Sequence, residues 1–360
     1  MVDVLDLCHD GAVPDHAFPT EPDEVEATWL QSVLEDSWPG LELDGIQAEP
    51  VGVGLMGRSY RFHLQTNGAG PPSVVAKFPS ADRSTRELGA SAYIREIGFY
   101  RDLGAGLGAI VPACHHAAIS PTGETFVLVL EDINPAQAGD QISGCSLADA
   151  RRSLGALATL HASTWGADAI GTFPWMSDRL TSAADLIRLA IDAFAERFAG
   201  LVSQEALEVF GAFGSRAEAW LEIDSATGAA VHGDFRLDNL LFRPSGEAVV
   251  VDWQTVSFAN PGRDLAYFLG NSLTIDDRRA TEIDLVTDYV DALYEAGVAG
   301  YDLTQAQTDM RLGCFQGPLV TSLGAFTASR TERGEAMFAT MAERCATQIA
   351  DLEALKLLDG

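Results

Sequence analysis

Three polar residues that could carry out chemistry lie close together in the segment 231–242. His232, Asp234 and Asn239 precede an apolar run that ends at Phe242. Asp234 could be a turn residue and Asn239 a cap, because both residue types are common at such places. A carboxylate here could instead accept a proton from a hydroxyl group, and an asparagine oxygen could bind a metal ion. The segment that follows favours the second interpretation.

The segment 239–253 predicts a β-hairpin that brings Asn239 beside Asp252. Apolar residues flank the turn formers Ser245 and Gly246, which indicates a two-residue loop. Counted outward from that loop, the register pairs Asn239 with Asp252, although a bulge would shift the pairing by one residue. Mg²⁺ takes a few protein oxygens and completes its coordination with phosphate and water. The hairpin therefore predicts a pair of magnesium ligands.

A glycine-rich segment nearer the N-terminus is a second candidate site. Gly52, Gly54 and Gly57 are spaced G-x-G-x-x-G, which alone is a weak signal. A dinucleotide-binding loop requires a helix after the glycines, whereas 58–64 alternates like a strand. A glycine turn between antiparallel strands can hold the phosphates of ATP against bare backbone amides. It can also be an ordinary hairpin turn, and this segment leaves both interpretations open.

Lys77 is the only basic residue in the apolar segment 73–79. A lysine in an edge strand normally faces solvent. The alternative is an ammonium that contacts nucleotide phosphates and is held by a glutamate from a neighbouring helix. The helical pattern at 85–104 offers two candidates, Glu87 near the start of the helix and Glu96 in the middle. The helix dipole already explains an acidic residue at the position of Glu87. We therefore predict Glu96 as the partner.

These segments resemble motifs of the aminoglycoside phosphotransferase and choline kinase superfamily. The segment 232–239 matches its H-G-D-x-x-x-x-N motif, and 250–269 resembles its I/V-D-W segment followed by its G-x-x-D-L-A motif. The segments 129–133 and 156–165 are similar to the hinge and the L-A-x-L-H-A-x-x-W helix of its ecdysteroid-kinase-like (CHK-type) branch. The resemblance runs from about Trp29 to the C-terminus and implies a protein-kinase-like, two-lobed α+β fold.

The resemblance also implies roles for individual residues. Asp234 would be the catalytic base, Asn239 and Asp252 the Mg²⁺ ligands, and Lys77 with Glu96 the pair that positions the phosphates. The nucleotide loop would include Gly52, Gly54, Gly57, Arg58 and Ser59, and adenine would be received by the backbone of Leu130, Glu131, Asp132 and Ile133. His232 would tie the catalytic loop to neighbouring backbone. Asp264 would brace that loop or face the substrate, or it would simply cap a helix.

The secondary-structure pattern agrees with an α+β fold of two lobes. It is mostly β from 46 to 130, apart from one main helix in which Leu88, Tyr93, Ile97 and Tyr100 recur at helical intervals. After residue 146 it is mainly helical, with a β segment at 229–252. We predict an extended arm at 1–22, a β-rich N-lobe at 23–133 that ends in the hinge, and a C-lobe at 134–360 that holds the catalytic loop, the metal site and the acceptor pocket.

Charge and composition narrow the classes of partner. The chain has 23 basic and 52 acidic residues and a formal net charge of −29, which disfavours nucleic acid and anionic membranes. The charge favours a cationic small molecule, or it simply keeps the protein soluble. No apolar segment reaches the roughly 18 residues of a membrane span, and the N-terminus lacks the basic residues of a signal peptide. We expect a cytoplasmic protein, either a monomer or a homodimer.

The expected activity is transfer of the γ-phosphate of ATP, or GTP, with Mg²⁺ to a hydroxyl of a small acceptor. Aminoglycoside-like, choline-like, and steroid or lipid alcohols are the acceptor classes that the resemblance implies. One alternative is a pseudokinase that binds nucleotide without transfer. Another is a hydrolase that uses Asp234 and Asp252 as an acid/base pair and requires no glycine loop or lysine.

Overall fold

The computed structural model describes residues 18–52, 56–68, 70–166, 173–176, 183–223 and 228–359. Most of the predicted arm, and Gly54 of the predicted nucleotide loop, lie outside these residues. The chain divides into two compact units, Met1–Asn134 and Pro135–Gly360. An antiparallel sheet dominates the first unit and helices dominate the second, which confirms the predicted α+β class. None of the described helices is both long and apolar enough to cross a membrane.

The first unit is built on a five-stranded antiparallel sheet in the order β1-β2-β3-β5-β4. Its strands are β1 Leu43–Pro50, β2 Gly57–Thr66, β3 Ser73–Pro79, β4 Cys114–Ile119 and β5 Phe126–Glu131, and its helices are α1 Ala27–Leu34 and α2 Arg83–Asp102. Alternate residues of β2 and β3, among them Phe62 and Phe78, are buried in one core with Leu30 of α1. Because β3 lies between β2 and β5, Lys77 is on a central strand and not on an edge.

One residue of helix α2 does not lie on the buried face where its apolar type and spacing place it, namely Leu88. Tyr93, Ile97 and Tyr100 are buried as predicted, but Leu88 is 83% exposed. Leu88 precedes Tyr93 by five residues, and at 3.6 residues per turn that interval rotates a side chain by about 140°. Gly89, at the preferred interval of four, takes the buried position.

The second unit is mainly helical, with three pairs of short strands that position its loops. The helices are α3 Leu147–Ser163, α4 Ala183–Arg197, α5 Gln204–Gly214, α6 Ala217–Ile223, α7 Gly262–Ser272, α8 Ile275–Glu295, α9 Leu303–Gly313, α10 Gln316–Thr327 and α11 Glu332–Asp351. The strands are β6 Gln137–Ala138, β7 Ala229–Val231, β8 Leu240–Phe242, β9 Ala248–Val250 and β10 Ser257–Ala259. β7 pairs with β10, and β8 pairs with both β6 and β9. The chain between β7 and β8 is thus anchored at both ends.

The β8–β9 hairpin exists, but the predicted register is wrong by one residue. Leu240 pairs with Val250, and the carbonyl of Asn239 accepts a hydrogen bond from the amide of Val251 at 3.0 Å. Asn239 is therefore opposite Val251 and not Asp252. The loop contains three residues, Pro244 to Gly246, because Pro244 suits the second position of a tight turn and Gly246, at φ 111°, supplies the positive φ that closes it.

Candidate active site

The predicted site residues fall into two groups, one in each unit. In the first unit, Lys77 of β3 and Glu96 of α2 form an ion pair with 2.5 Å between Nζ and Oε1. The side chain of Glu96 is 1% exposed and that of Lys77 13%. Glu87, the competing partner, pairs with Arg83 on the solvent-facing side of α2. A buried pair of this kind fixes the ammonium because neither charge can be solvated by water instead.

The buried pair predicts a large loss of stability when the lysine is replaced. We expect Lys77→Met to lower the free energy of unfolding of the first unit by about 3–5 kcal/mol, because it leaves the charge of Glu96 buried without the ammonium. Arg83→Met is the matched control, since it breaks the exposed Arg83–Glu87 pair on the same helix. Denaturant titration of both variants measures the difference. Equal losses in the two variants would show that burial of the Lys77–Glu96 pair does not govern its energy.

Two glycines of the predicted nucleotide loop, Gly52 and Gly57, lie where two antiparallel strands follow each other along the chain. Gly52 follows β1 and has a φ of 73°, and Gly57 begins β2. The described residues from Gly57 onward form β2 and then β3, and not the helix that a dinucleotide-binding loop requires. Arg58 is engaged within the unit by the carboxylate of Glu21, at 2.7 Å, and by the carbonyl of Pro79.

The predicted hinge segment uses the side chain of Asp132 for internal structure. Its carboxylate accepts hydrogen bonds from Arg61 at 2.7 and 3.1 Å and from Ser73 at 2.5 Å. Burial raises the pKa of Asp132, but Arg61 and Ser73 outweigh burial and the net shift of its pKa is downward. Among the described residues, none forms a hydrogen bond with the main-chain amide of Ile133.

In the second unit, three donors surround the carboxylate of Asp234. The hydroxyl of Tyr267 donates to Oδ1 at 2.8 Å, and the side-chain amide of Asn239 donates to Oδ2 at 3.0 Å. Nε of Arg236 lies 3.0 Å from both oxygens. Burial opposes the charged form of Arg236, but Asp234 and, more weakly, Asp238 outweigh burial and raise its pKa. The carboxylate is thus held in one orientation beside a permanent cation.

Asn239 and Asp252 lie at the same end of the β8–β9 hairpin despite the shifted register. The NH₂ group of Asn239 donates to both the main-chain carbonyl and the carboxylate of Asp234. The Oδ1 atom of Asn239 is therefore directed away from Asp234. Asp252 directly follows Val251, and the main-chain amide of Val251 donates a hydrogen bond to the carbonyl of Asn239. Asp252 has a left-handed φ of 69°. Strained non-glycine residues of this kind cluster at functional sites.

The donor set of Asn239 and Asp252 fits Mg²⁺. It consists of one amide oxygen and one carboxylate, and this ion accepts a few such oxygens while phosphate and water fill its other positions. No group of three or more His, Cys, Asp or Glu residues within the described ranges could hold a metal ion. Such a group would suit a metal held by protein alone, whereas two oxygens suit an ion shared with a nucleotide.

Asp264 braces the loop that carries Asp234. Its carboxylate, which is fully buried, accepts hydrogen bonds from the amides of His232 at 2.5 Å and Gly233 at 2.9 Å. His161, also buried, lies 3.5 Å from the same carboxylate. Pro261, and not Asp264, occupies the N-cap position of α7. Asp264 therefore fixes the backbone immediately before Asp234.

His232 and Gly233, whose amides bind Asp264, also fix the conformation of the loop before Asp234. The ring of His232 accepts a hydrogen bond from the amide of Asp234 at Nδ1, so its Nε2 is the donor to the carbonyl of Val251 at 3.1 Å. The same ring packs edge-on against Trp253, with centroids 4.7 Å apart. Gly233 has a φ of 82°, and a Cβ there would lie 2.7 Å from a backbone oxygen. Glycine is required at this position.

Removal of the Asp264 brace should destabilise the second unit. We expect Asp264→Ala to lower its free energy of unfolding by about 2–4 kcal/mol, because two buried amides lose a charged acceptor. Asp185→Ala, at a 94% exposed carboxylate, should leave stability unchanged. Thermal unfolding of both variants checks this expectation. A melting temperature for Asp264→Ala equal to that of the control would rule out the brace.

Sequence reasoning missed several residues that hold Asp234 and its loop. Arg236 lies inside the recognised motif, and Tyr267 is three residues after Asp264, an interval that places two side chains on one helix face. Both could have been found from these positions. Gln141 accepts a hydrogen bond from the amide of Leu237 and is fully buried, but it is 96 residues away in the chain. No local pattern could have indicated it.

A sequence comparison assigns most of the chain to a known group of proteins. A model of the phosphotransferase enzyme family matches residues 48–308. The matched range includes the motif at 232–239 and agrees with the resemblance it carries. One curated relative, the probable acyl-CoA dehydrogenase IBR3 of Arabidopsis thaliana, is 48% identical over 44 residues. That match covers 12% of this chain and 5% of the relative, so the chain spans a small fraction of the relative's length.

Solved structures with a similar fold extend over nearly the whole chain. A choline kinase from Cryptosporidium parvum has a TM-score of 0.58 at 12% identity and covers 93% of this chain and 97% of its own. Aminoglycoside 2'-phosphotransferase-IIIa, solved with GDP, has a TM-score of 0.53 at 14% identity and covers 90% and 100%. The ethanolamine kinase of Plasmodium vivax has a TM-score of 0.53 at 8% identity and covers 90% and 89%. At these identities the likeness is one of fold.

Proposed function

This chain belongs to the phosphotransferase enzyme family, and from that premise we propose that it transfers the γ-phosphoryl group of ATP to a hydroxyl group of a small molecule. The observation that carries the proposal is the carboxylate of Asp234, which is oriented by three donors, Tyr267, Arg236 and Asn239. A fixed carboxylate is suited to accept a proton from an attacking hydroxyl.

The proposed reaction balances with Asp234 as the proton acceptor. The acceptor oxygen forms a bond to the γ-phosphorus as the bond between that phosphorus and the bridging β–γ oxygen breaks. ADP leaves, and the hydroxyl proton passes to Asp234. Phosphoryl transfer requires little covalent chemistry from the protein, so the chief contributions of this chain are orientation and charge. The rigid support of Asp234 by Tyr267 and of its loop by Asp264 meets that requirement.

Each unit, taken by itself, carries residues to which the resemblance gives a role in nucleotide binding. Asn239 and Asp252 would hold Mg²⁺, which when bound neutralises charge on the phosphates. Lys77, held by Glu96, would contact the phosphates, the glycine segment Gly52 to Ser59 would cover them, and the backbone of Leu130 to Ile133 would receive adenine. The GDP complex of the aminoglycoside 2'-phosphotransferase supports nucleotide use, and we propose ATP as the principal donor.

The acceptor belongs to a class of small hydroxyl compounds. The names of the structural neighbours point to choline, ethanolamine and aminoglycosides, all of which are cationic near neutral pH. A net charge of −29 would attract such cations. The CHK-type resemblance at 129–133 and 156–165 points instead to steroid or lipid alcohols. Both classes share the hydroxyl group that the proposed chemistry requires.

The test is an ADP-release screen with Mg²⁺ and ATP. Choline, ethanolamine, kanamycin, and a set of steroid and lipid alcohols are each compared with the rate measured without acceptor. We expect at least one class to raise ADP release above that basal rate. Basal hydrolysis that no hydroxyl compound raises would contradict the proposed acceptor class, and complete absence of hydrolysis would favour a pseudokinase. Activity on a substrate without any nucleotide would favour a hydrolase.

A further inference from the structure

Tyr267 donates a hydrogen bond to Asp234 from inside the second unit. It lies on α7, its side chain is fully buried, and its hydroxyl is 2.8 Å from Oδ1 of Asp234. Helix α7 also carries Asp264, which fixes the backbone before Asp234. One helix therefore holds both the main chain and the side chain of the proposed base.

The donors around Asp234 leave a narrow range of approach to its carboxylate. A carboxylate offers about four lone-pair positions on its two oxygens. Tyr267, Arg236 and Asn239 occupy about three of them. A hydroxyl that transfers its proton to Asp234 must approach the lone-pair position that the donors leave open. The three donors together therefore determine the direction of its approach.

We propose that Tyr267 is a positioning residue of the phosphotransferase, which orients Asp234 so that one acceptor position of its carboxylate faces the attacking hydroxyl. The inference rests on the proposed role of Asp234 as the base. Arg236 supplies a positive charge to Asp234 and also donates a hydrogen bond to Asp238. Asn239 has a second proposed role as a ligand of the metal ion. Tyr267 is the donor whose role is orientation alone.

The environment of Tyr267 keeps it a donor. Burial, and next to it the negative charge of Asp234, raise the pKa of its hydroxyl well above the ordinary value. The phenol therefore stays protonated throughout the range in which enzymes work, and it donates to Asp234 without competing for the substrate proton.

The experiment compares Tyr267→Phe with Tyr301→Phe. Tyr301 is a matched control because it is also buried and also donates to a carboxylate, that of Asp309 at 3.0 Å. The probe is ADP formation from Mg²⁺-ATP with water as the acceptor. We expect Tyr267→Phe to lower kcat by about tenfold with an unchanged KM for ATP, since a hydrogen bond to a charged group is lost. Tyr301→Phe should stay within about twofold of the wild type.

A double-mutant cycle separates orientation of Asp234 from general support of the fold. In an Asp234→Asn background, Tyr267→Phe should change the residual rate by less than about twofold, because it acts through Asp234. The same tenfold loss in that background would overturn the proposal. A rate equal to that of Tyr301→Phe would also overturn it, as would a raised KM together with a lower melting temperature than the control. If Asp234→Asn alone leaves the rate intact, it is the proposed function that fails.

Discussion

Asp234→Asn is expected to lower kcat by about 10²–10⁴-fold, the range that a positioned acid or base contributes. An amide cannot accept the proton of the attacking hydroxyl, yet it keeps the size of the carboxylate and one of its two acceptor oxygens. Binding of Mg²⁺-ATP should therefore change by less than about threefold, because a base acts in the chemical step and not in ground-state binding. Steady-state rates and nucleotide titration by calorimetry measure the two quantities.

Asp309→Asn is the matched control for this substitution. Like Asp234, Asp309 is a carboxylate of the second unit that accepts hydrogen bonds from a tyrosine hydroxyl and an asparagine amide, here Tyr301 and Asn260. A similar loss of stability is expected in both variants, but only Asp234→Asn should lose turnover. Comparable turnover in the two variants would show that Asp234 is not the base.

Asp252→Ala is expected to lower kcat/KM by about 10²-fold or more. A bound metal ion supplies several kcal/mol of charge stabilisation, and each 1.4 kcal/mol corresponds to a tenfold change in rate. The loss should be accompanied by a rightward shift of the Mg²⁺ dependence of nucleotide binding. Asp252→Asn, which retains one ligand oxygen and tolerates a positive φ, should lie between the wild type and the alanine variant.

The chain provides a control for the backbone effect of this change. Asp252 and Glu353 are the non-glycine residues with positive φ within the described part of the chain, at 69° and 49°. Glu353→Ala thus places alanine in a similar conformation, at the C-terminal end of α11. It should leave the Mg²⁺ dependence unchanged. A normal Mg²⁺ titration in Asp252→Ala would remove this residue from the metal site.

Local patterns predicted the hairpin that holds Asn239 and Asp252, but not its exact pairing. The apolar runs on either side of Ser245 and Gly246 indicated two strands correctly. Loop length depends on which residues take the turn positions, and Pro244 adds one residue to the loop that glycine and serine alone suggest. Asn239 and Asp252 still lie at one end of the hairpin, because a shift of one residue leaves Asp252 directly after Val251, the residue opposite Asn239.

Contacts between distant segments account for what the sequence could not predict. The partnership of Lys77 with Glu96 follows from helical spacing and burial within neighbouring elements. The bracing of the catalytic loop by Gln141 depends instead on how a segment 96 residues away folds back. Tyr267 could be found only through its interval of three residues from Asp264, because its residue type alone is that of an ordinary core residue.

Following the acceptor itself tests the central claim most directly. Wild-type protein and Asp234→Asn are incubated with Mg²⁺, ATP and the most active compound of the ADP-release screen, and the product is identified by mass spectrometry and ³¹P NMR. We predict that the wild type adds one phosphoryl group to a hydroxyl of the acceptor, in step with ADP release, and that Asp234→Asn adds essentially none. ADP release without a phosphorylated acceptor, or equal product from both proteins, would contradict the account.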